Sequence, residues 1–151
     1  MSEELSDFIS KKNIVMDLDA STQDDALKQL SLILKKNGNV SDAEVFYEDV
    51  VRRESITTTG IGNNIAIPHG KSSAVTDTTM LFAKNKIPLE WNSLDEQKVN
   101  IIFLMAVSPD AIGNEHLKML AKLSGKLMDD DFVLAIKNAK TSERVLEIIK
   151  G

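Results

Sequence analysis

Nine consecutive residues, Val99 to Val107 (VNIIFLMAV), include a single polar side chain. A strand turns successive side chains to opposite faces, so a run like this leaves neither face fit for water. The segment is therefore expected in the middle of a sheet covered on both sides, which requires helices above and below it. The flanking sequence supplies them. Ser21 and Asp24 read as a capping box ahead of Ala26, Leu27, Leu30, Ile33 and Leu34 at helical spacing, with Gly38 as the stop. Ser41 and Glu44 read as a second box, opening a helix with Val45, Phe46 and Val50 on its buried face. Further helices are predicted from GNEHLKMLAKLSGKLM, with Asn114 as N-cap, and from DDDFVLAIKNAK and TSERVLEIIKG, the last turning Val145, Leu146, Ile148 and Ile149 inward.

Shorter strands complete the sheet. NIVMDL alternates Ile14, Met16 and Leu18 on one face, NIAIP does the same with Ile65 and Ile67 before Pro68, and TTMLFAK follows. KIPLEWNSLDEQ reads as a connection or edge segment in which Trp91 anchors packing. With 151 residues, 42% of them hydrophobic, one domain spanning 1–151 is expected.

Several classes of function are excluded or disfavoured. A net charge of −5 without a long block of either sign gives no track for a phosphate backbone, so no nucleic acid partner is expected. Without cysteine there is no disulfide framework and no thiolate metal site. The first ten residues lack the basic start and apolar core of a signal peptide, and no run reaches membrane-spanning length. A cytoplasmic protein without direct membrane insertion is expected. No linker precedes Gly151, which points to a separate polypeptide.

Two histidines and one arginine stand out. His69 lies between Pro68 and Gly70 after a short apolar strand, a setting that presents a ring on a turn. His116 falls in a first helical turn, on one stripe with Leu120, Leu123 and Leu127, where it is either a satisfied core residue or a ring beside an anion. At about 100° per residue, Arg53 lies near the centre of its helix's buried face. It either pairs with a structural carboxylate, Glu54 or Asp49, or serves an external anion. Two distant histidines do not make a zinc site, and neither a G-x-S-x-G elbow nor a cysteine supports acyl transfer. Phosphoryl transfer to histidine needs less: a neutral exposed ring nitrogen, with positive charge and N–H donors around the phosphoryl oxygens.

The stretch TTTGIGNNIAIPHGK, an arginine sixteen positions before the histidine and GNEHLKML downstream resemble the enzyme IIA domain of the fructose/mannitol class of the bacterial phosphoenolpyruvate-dependent phosphotransferase system, from about Asp7 to Ile149. The resemblance implies an α/β fold, a three-layer α/β/α sandwich on a central mixed β-sheet. It implies that His69 accepts a phosphoryl group from the phosphohistidine of the phosphocarrier HPr and passes it to the cysteine of an enzyme IIB, which serves a membrane enzyme IIC. Arg53 and His116 match the family's other two active-site positions; no cofactor and no metal is implied. Thr57, Thr58 and Thr59 are candidate hydroxyl donors, Gly62 and Gly70 would admit close backbone approach, and Ile61, Ile65 and Ala74 are candidates for a docking surface. Asn64 stands where the family most often has glycine, which fits a left-handed backbone position. Resemblance in LEWNSLDEQ leans towards fructose-type members; nitrogen-branch relatives with the same core act by phosphorylation-dependent protein binding. A binding module without phosphoryl chemistry is disfavoured by the joint presence of Arg53, His69 and His116.

Overall fold

The computed structural model describes residues 4–109 and 115–151. In chain order its strands are β1 (Ile14–Leu18), β2 (Gly60–Gly62), β3 (Ile65–Ala66), β4 (His69–Lys71), β5 (Thr79–Leu89) and β6 (Val99–Val107). Its helices are α1 (Gln23–Lys36), α2 (Ala43–Ile56), α3 (Glu115–Leu127), α4 (Asp130–Asn138) and α5 (Ser142–Lys150). The sheet runs β1-β5-β6-β3-β2, with β4 also on β6. It is mixed: β5 and β6 are antiparallel, as are β2 and β3, while β1 lies parallel to β5 and β3 and β4 lie parallel to β6.

β6 sits where its apolar run requires. Ile101, Phe103, Met105 and Val107 join one core with α3, α4 and α5, while Ile102, Leu104 and Ala106 join a second with α1 and α2. The result is the expected three-layer α/β/α sandwich. Within the first core Phe103 meets Phe82 edge to face, with ring centroids 5.2 Å apart, a geometry worth about 0.5–1.5 kcal/mol beyond burial.

β1 departs from the alternation. Ile14 and Met16 face the first core, but Leu18 packs in the second. The cause is a bulge: Val15 pairs with Ala83 and Leu18 with Asn85, so β1 advances one residue more than β5 and its next side chain changes face. β5 also outruns its sequence pattern, continuing through KIPL to Leu89, which pairs with Val99. Pro88 is tolerated there because the ladder is irregular between Lys84 and Leu89.

Both predicted capping boxes lie one residue early. Thr22 caps α1, its hydroxyl accepting from Asp25 N–H at 3.0 Å, and Asp42 caps α2 by accepting from Val45 N–H at 3.1 Å. Ser41 instead donates from backbone and hydroxyl to Ala74 O, which pins the helix start to the segment after β4. Val45 consequently turns outward, 37% exposed, and Phe46 and Val50 form the fully buried part of the face, with Tyr47 and Val51 packed partly buried beside them. α1 ends in a Schellman motif: Asn39 N–H donates to Leu34 O, Gly38 N–H to Lys35 O, and Gly38 takes φ +85°. The predicted N-cap Asn114 lies outside the described residues.

Gly70 of β4 fixes the distance between sheet and α2. A Cβ at this position would lie 2.7 Å from Val50 Cγ2 and 3.2 Å from Phe46 Cε1, both on buried, short or rigid side chains. Gly70→Ala is therefore expected to push α2 outward and destabilise the protein by about 1–3 kcal/mol. Thermal unfolding should show this as a fall of roughly 2–4 °C per kcal/mol, and an unchanged midpoint would mean that α2 is not seated here.

Candidate functional site

β3 and β4 are one strand interrupted by proline. Ile65 and Ala66 pair with Ile101 and Ile102; beyond Pro68, His69, Gly70 and Lys71 pair with Met105, Ala106 and Val107 in unbroken register. Pro68 supplies no N–H, but its carbonyl accepts from Met105 N–H at 2.9 Å, so the ladder survives the interruption. His69 is thus the first residue of a strand rather than part of the anticipated turn. Alternation then puts His69 and Lys71 on the α3 side of the sheet and Gly70 on the α2 side.

The ring of His69 is held by its own chain. Nδ1 lies 3.1 Å from Ile67 O, and because a carbonyl only accepts, Nδ1 carries the proton of the neutral ring while Nε2 keeps its lone pair. Partial burial lowers the pKa of His69 below the ordinary 6.5, and the charge of Arg53 lowers it further against the opposing effect of the Ile67 carbonyl. The ring is therefore neutral at neutral pH.

His116, in the first turn of α3, stands beside it, with ring centroids 5.0 Å apart and planes at 48°. Its Nε2 is buried and has no hydrogen-bond partner among the described residues. A core histidine would be satisfied, and an orphaned ring nitrogen costs about 1–3 kcal/mol unless something else pairs with it. Burial holds this ring's pKa down as well, helped by His69, Lys71 and Arg53.

Arg53 comes from the last turn of α2, in the opposite layer, and its charge nevertheless bears on both histidines. Among the described residues β4 pairs only with β6, which leaves its other edge open to a side chain from the α2 side. Neither carboxylate offered as a structural partner takes Arg53. Asp49 pairs with Arg52 at 2.5 Å, and Glu54 accepts from Thr59 N–H and hydroxyl at 2.7 and 2.6 Å. The guanidinium instead donates to Thr57 O at 3.2 Å. The structure thus sets the rings of His69 and His116 side by side, and Arg53, from the other helical layer, bears on both through its charge.

Other expectations fare less well. The Thr58 hydroxyl donates to Trp91 O and that of Thr59 to Glu54, so both are engaged within the loop. Gly70 serves the seating of α2. Of the apolar residues proposed for a docking surface, Ile65 and Ala74 are buried and only Ile61 is exposed; exposed Ile56, Leu94 and Leu117 were not anticipated. Asn64 does take a left-handed conformation, φ +66°, and Asn63 beside it φ +56°. Lys71 was also missed, although its position two residues after His69 on one strand places both on the same face. Trp91 is buried as an anchor. A cavity of about 530 Å³ lies on the far side of the loop, between Asp24, Glu54, Thr58 and Trp91, and touches neither histidine. Among the described residues no three histidine or carboxylate groups converge as a metal cage would need, and no helix is long and apolar enough to cross a membrane.

A neutral imidazole with its outer nitrogen free, under the charge of a guanidinium that no carboxylate neutralises and beside a second ring with an orphaned nitrogen, is equipped to take up a phosphoryl group and release it again. The chain belongs to the phosphoenolpyruvate-dependent sugar phosphotransferase system EIIA 2 family, whose profile matches residues 7–151. Members of this family are phosphotransferase components that carry phosphohistidine. A "PTS system fructose-specific EIIA component" from Haloferax volcanii is 30% identical over 85% of this chain and 83% of its own length. The "PTS system fructose-specific EIIABC component" of Bacillus subtilis is 28% identical over 96% of this chain, which spans only 23% of that relative. Among solved structures, the nitrogen regulatory protein IIA-Ntr from Neisseria meningitidis superposes with a TM-score of 0.86 at 26% identity, covering 96% of this chain and 98% of that one.

Proposed function

We propose that His69 accepts the phosphoryl group of phospho-HPr at Nε2 and gives it to the cysteine of an enzyme IIB in a fructose-type uptake route. The observation that carries this reading is the bond from Nδ1 to Ile67 O, which leaves Nε2 as the ring's free nucleophile beside His116. In the first step the Nε2 lone pair forms a bond to phosphorus as the donor's N–P bond breaks and its electron pair returns to the donor nitrogen. The phosphorylated ring keeps its Nδ1 proton, and the Ile67 carbonyl stabilises the positive charge that the ring then carries. Arg53 faces the phosphoryl oxygens, and His116 donates to one of them when its proton sits on Nε2. In the second step a thiolate attacks phosphorus, the Nε2–P electrons return to the ring, and the starting tautomer is restored. Donor and product are both phosphohistidines of similar energy, so the first step is reversible and depends on positioning rather than on a strong driving force.

Incubation with phosphoenolpyruvate, enzyme I and HPr tests the reading. The expected result is an acid-labile gain of one phosphoryl group by intact mass, with phosphorus NMR assigning it to Nε2; an unmodified mass with a matched HPr would overturn it. Because only the neutral ring attacks, the acceptance rate should hold through neutral pH and fall as pH drops through the lowered pKa of His69. The half-maximal point is expected below 6.5. A midpoint above that value would show that burial does not govern this ring.

A regulatory reading is favoured by the Neisseria nitrogen regulatory protein, which matches nearly all of both chains. It predicts a phosphorylated protein that no sugar-specific enzyme IIB discharges, and whose binding to another protein changes with phosphorylation. Discharge by a fructose-type enzyme IIB decides for uptake.

A further inference from the structure

α2 ends without a left-handed cap. Thr57 is extended, at φ −160° and ψ 147°, so backbone geometry alone does not turn the chain back towards the sheet. Glu54 takes that part. Both of its carboxylate oxygens are engaged by Thr59, one by the backbone N–H at 2.7 Å and the other by the hydroxyl at 2.6 Å, and Thr59 itself is 4% exposed. Two branches leave this anchor. Towards β3, Thr59 O accepts from Ile67 N–H at 3.0 Å, and Ile67 O in turn accepts from His69 Nδ1 at 3.1 Å. Back towards the helix, Thr57 O accepts from Arg53 at 3.2 Å.

We propose that Glu54 is a positioning residue for the phosphoryl-transfer site, fixing through one loop both the guanidinium of Arg53 and the tautomer of His69. The proposal rests on the reading of His69 as acceptor. Glu54 touches no reacting atom. It acts through Thr59, and its two bonds are short enough to hold a loop whose other brace is Thr58, which donates to Trp91 O and accepts from Gly60 N–H, each at 3.1 Å. What matters in this arrangement is reach rather than charge. Glutamine keeps the reach: its side-chain oxygen accepts from Thr59, while the Thr59 hydroxyl oxygen still accepts from Trp91 Nε1 at 3.4 Å. Aspartate keeps the charge and falls short by one methylene.

The test uses the full chain with nitrogen-15 histidine, reading the imidazole tautomer by NMR and acceptance from phospho-HPr by rate. Wild type and Glu54→Gln are expected to hold the proton on Nδ1 of His69 and to accept at similar rates. Glu54→Asp is expected to move His69 towards the Nε2–H form and to slow acceptance by about 10–100-fold, the scale of a small misplacement near the reacting atoms. An unchanged tautomer and rate in Glu54→Asp would overturn the proposal, as would a loss in Glu54→Gln as large as that in Glu54→Asp, since reach alone would then not account for the effect. If Glu54→Asp does not fold, Thr59→Val removes the hydroxyl's bonds to Glu54 and from Trp91 Nε1 but keeps the backbone bond to Glu54, and should shift the tautomer in the same direction by less; a wild-type spectrum would refute the relay. Should the wild type take up no phosphoryl group, the acceptor reading fails, while the tautomer comparison still judges the relay.

Discussion

With alanine at position 69 the protein is expected to gain no phosphoryl group at any time or enzyme ratio, while its unfolding midpoint stays close to that of the wild type. The first half follows from the site's chemistry. The other imidazole within reach, His116, donates from Nε2 in the proposed mechanism, and a protonated ring nitrogen has no lone pair with which to attack. The second half follows from the backbone: β4 pairs with β6 through main-chain groups that alanine retains, and the lost ring is only partly buried. Intact mass after incubation with the phosphorylating enzymes, beside a thermal melt, checks both. Acid-labile phosphate persisting on His69→Ala would move the acceptor to another residue and leave the tautomer argument without an object.

Arg53→Ala is expected to slow acceptance by about 10²–10³-fold, the loss typical when one preorganised donor to a developing anionic charge is removed. No salt bridge in the described structure depends on Arg53, so the fold should tolerate the change. Lysine should restore only part of the rate, because an ammonium cannot bond the Thr57 carbonyl and face a phosphoryl oxygen with the fixed planar fork of a guanidinium. A second signature separates this role from a structural one. The charge of Arg53 lowers the pKa of His69, so removing it should raise that pKa and shift the acid limb of the rate profile to higher pH. A slower enzyme with an unshifted limb would place the guanidinium away from the ring.

The sandwich was legible because β6 allows no other environment: a nearly unbroken apolar strand needs covering on both faces, and five amphipathic segments were there to cover it. Single-residue positions were less legible. The bulge in β1 inverts Leu18 through its pairing with β5, a relation between segments more than sixty residues apart, and no local pattern encodes it. Caps moved by one residue for a similar reason, since Ser41 is drawn off by Ala74 and Asp42 becomes the cap. Of the residues in the proposed site, Arg53, His69 and His116 could be nominated from sequence because proline, glycine and helical phase are local signals. Glu54 could not be singled out, since as a lone carboxylate beside an arginine it looked like that arginine's partner. Only the return of the chain at Thr59 reveals what it binds.

His69 offers one nitrogen to the outside, because the other is bound inside to Ile67. On the proposed role, whatever charges this ring and whatever discharges it must reach the same atom, so the two visitors compete for it and ping-pong kinetics are expected. A partner that binds very tightly would act as an inhibitor of the other, so flux through such a carrier rises with the speed at which each visitor leaves.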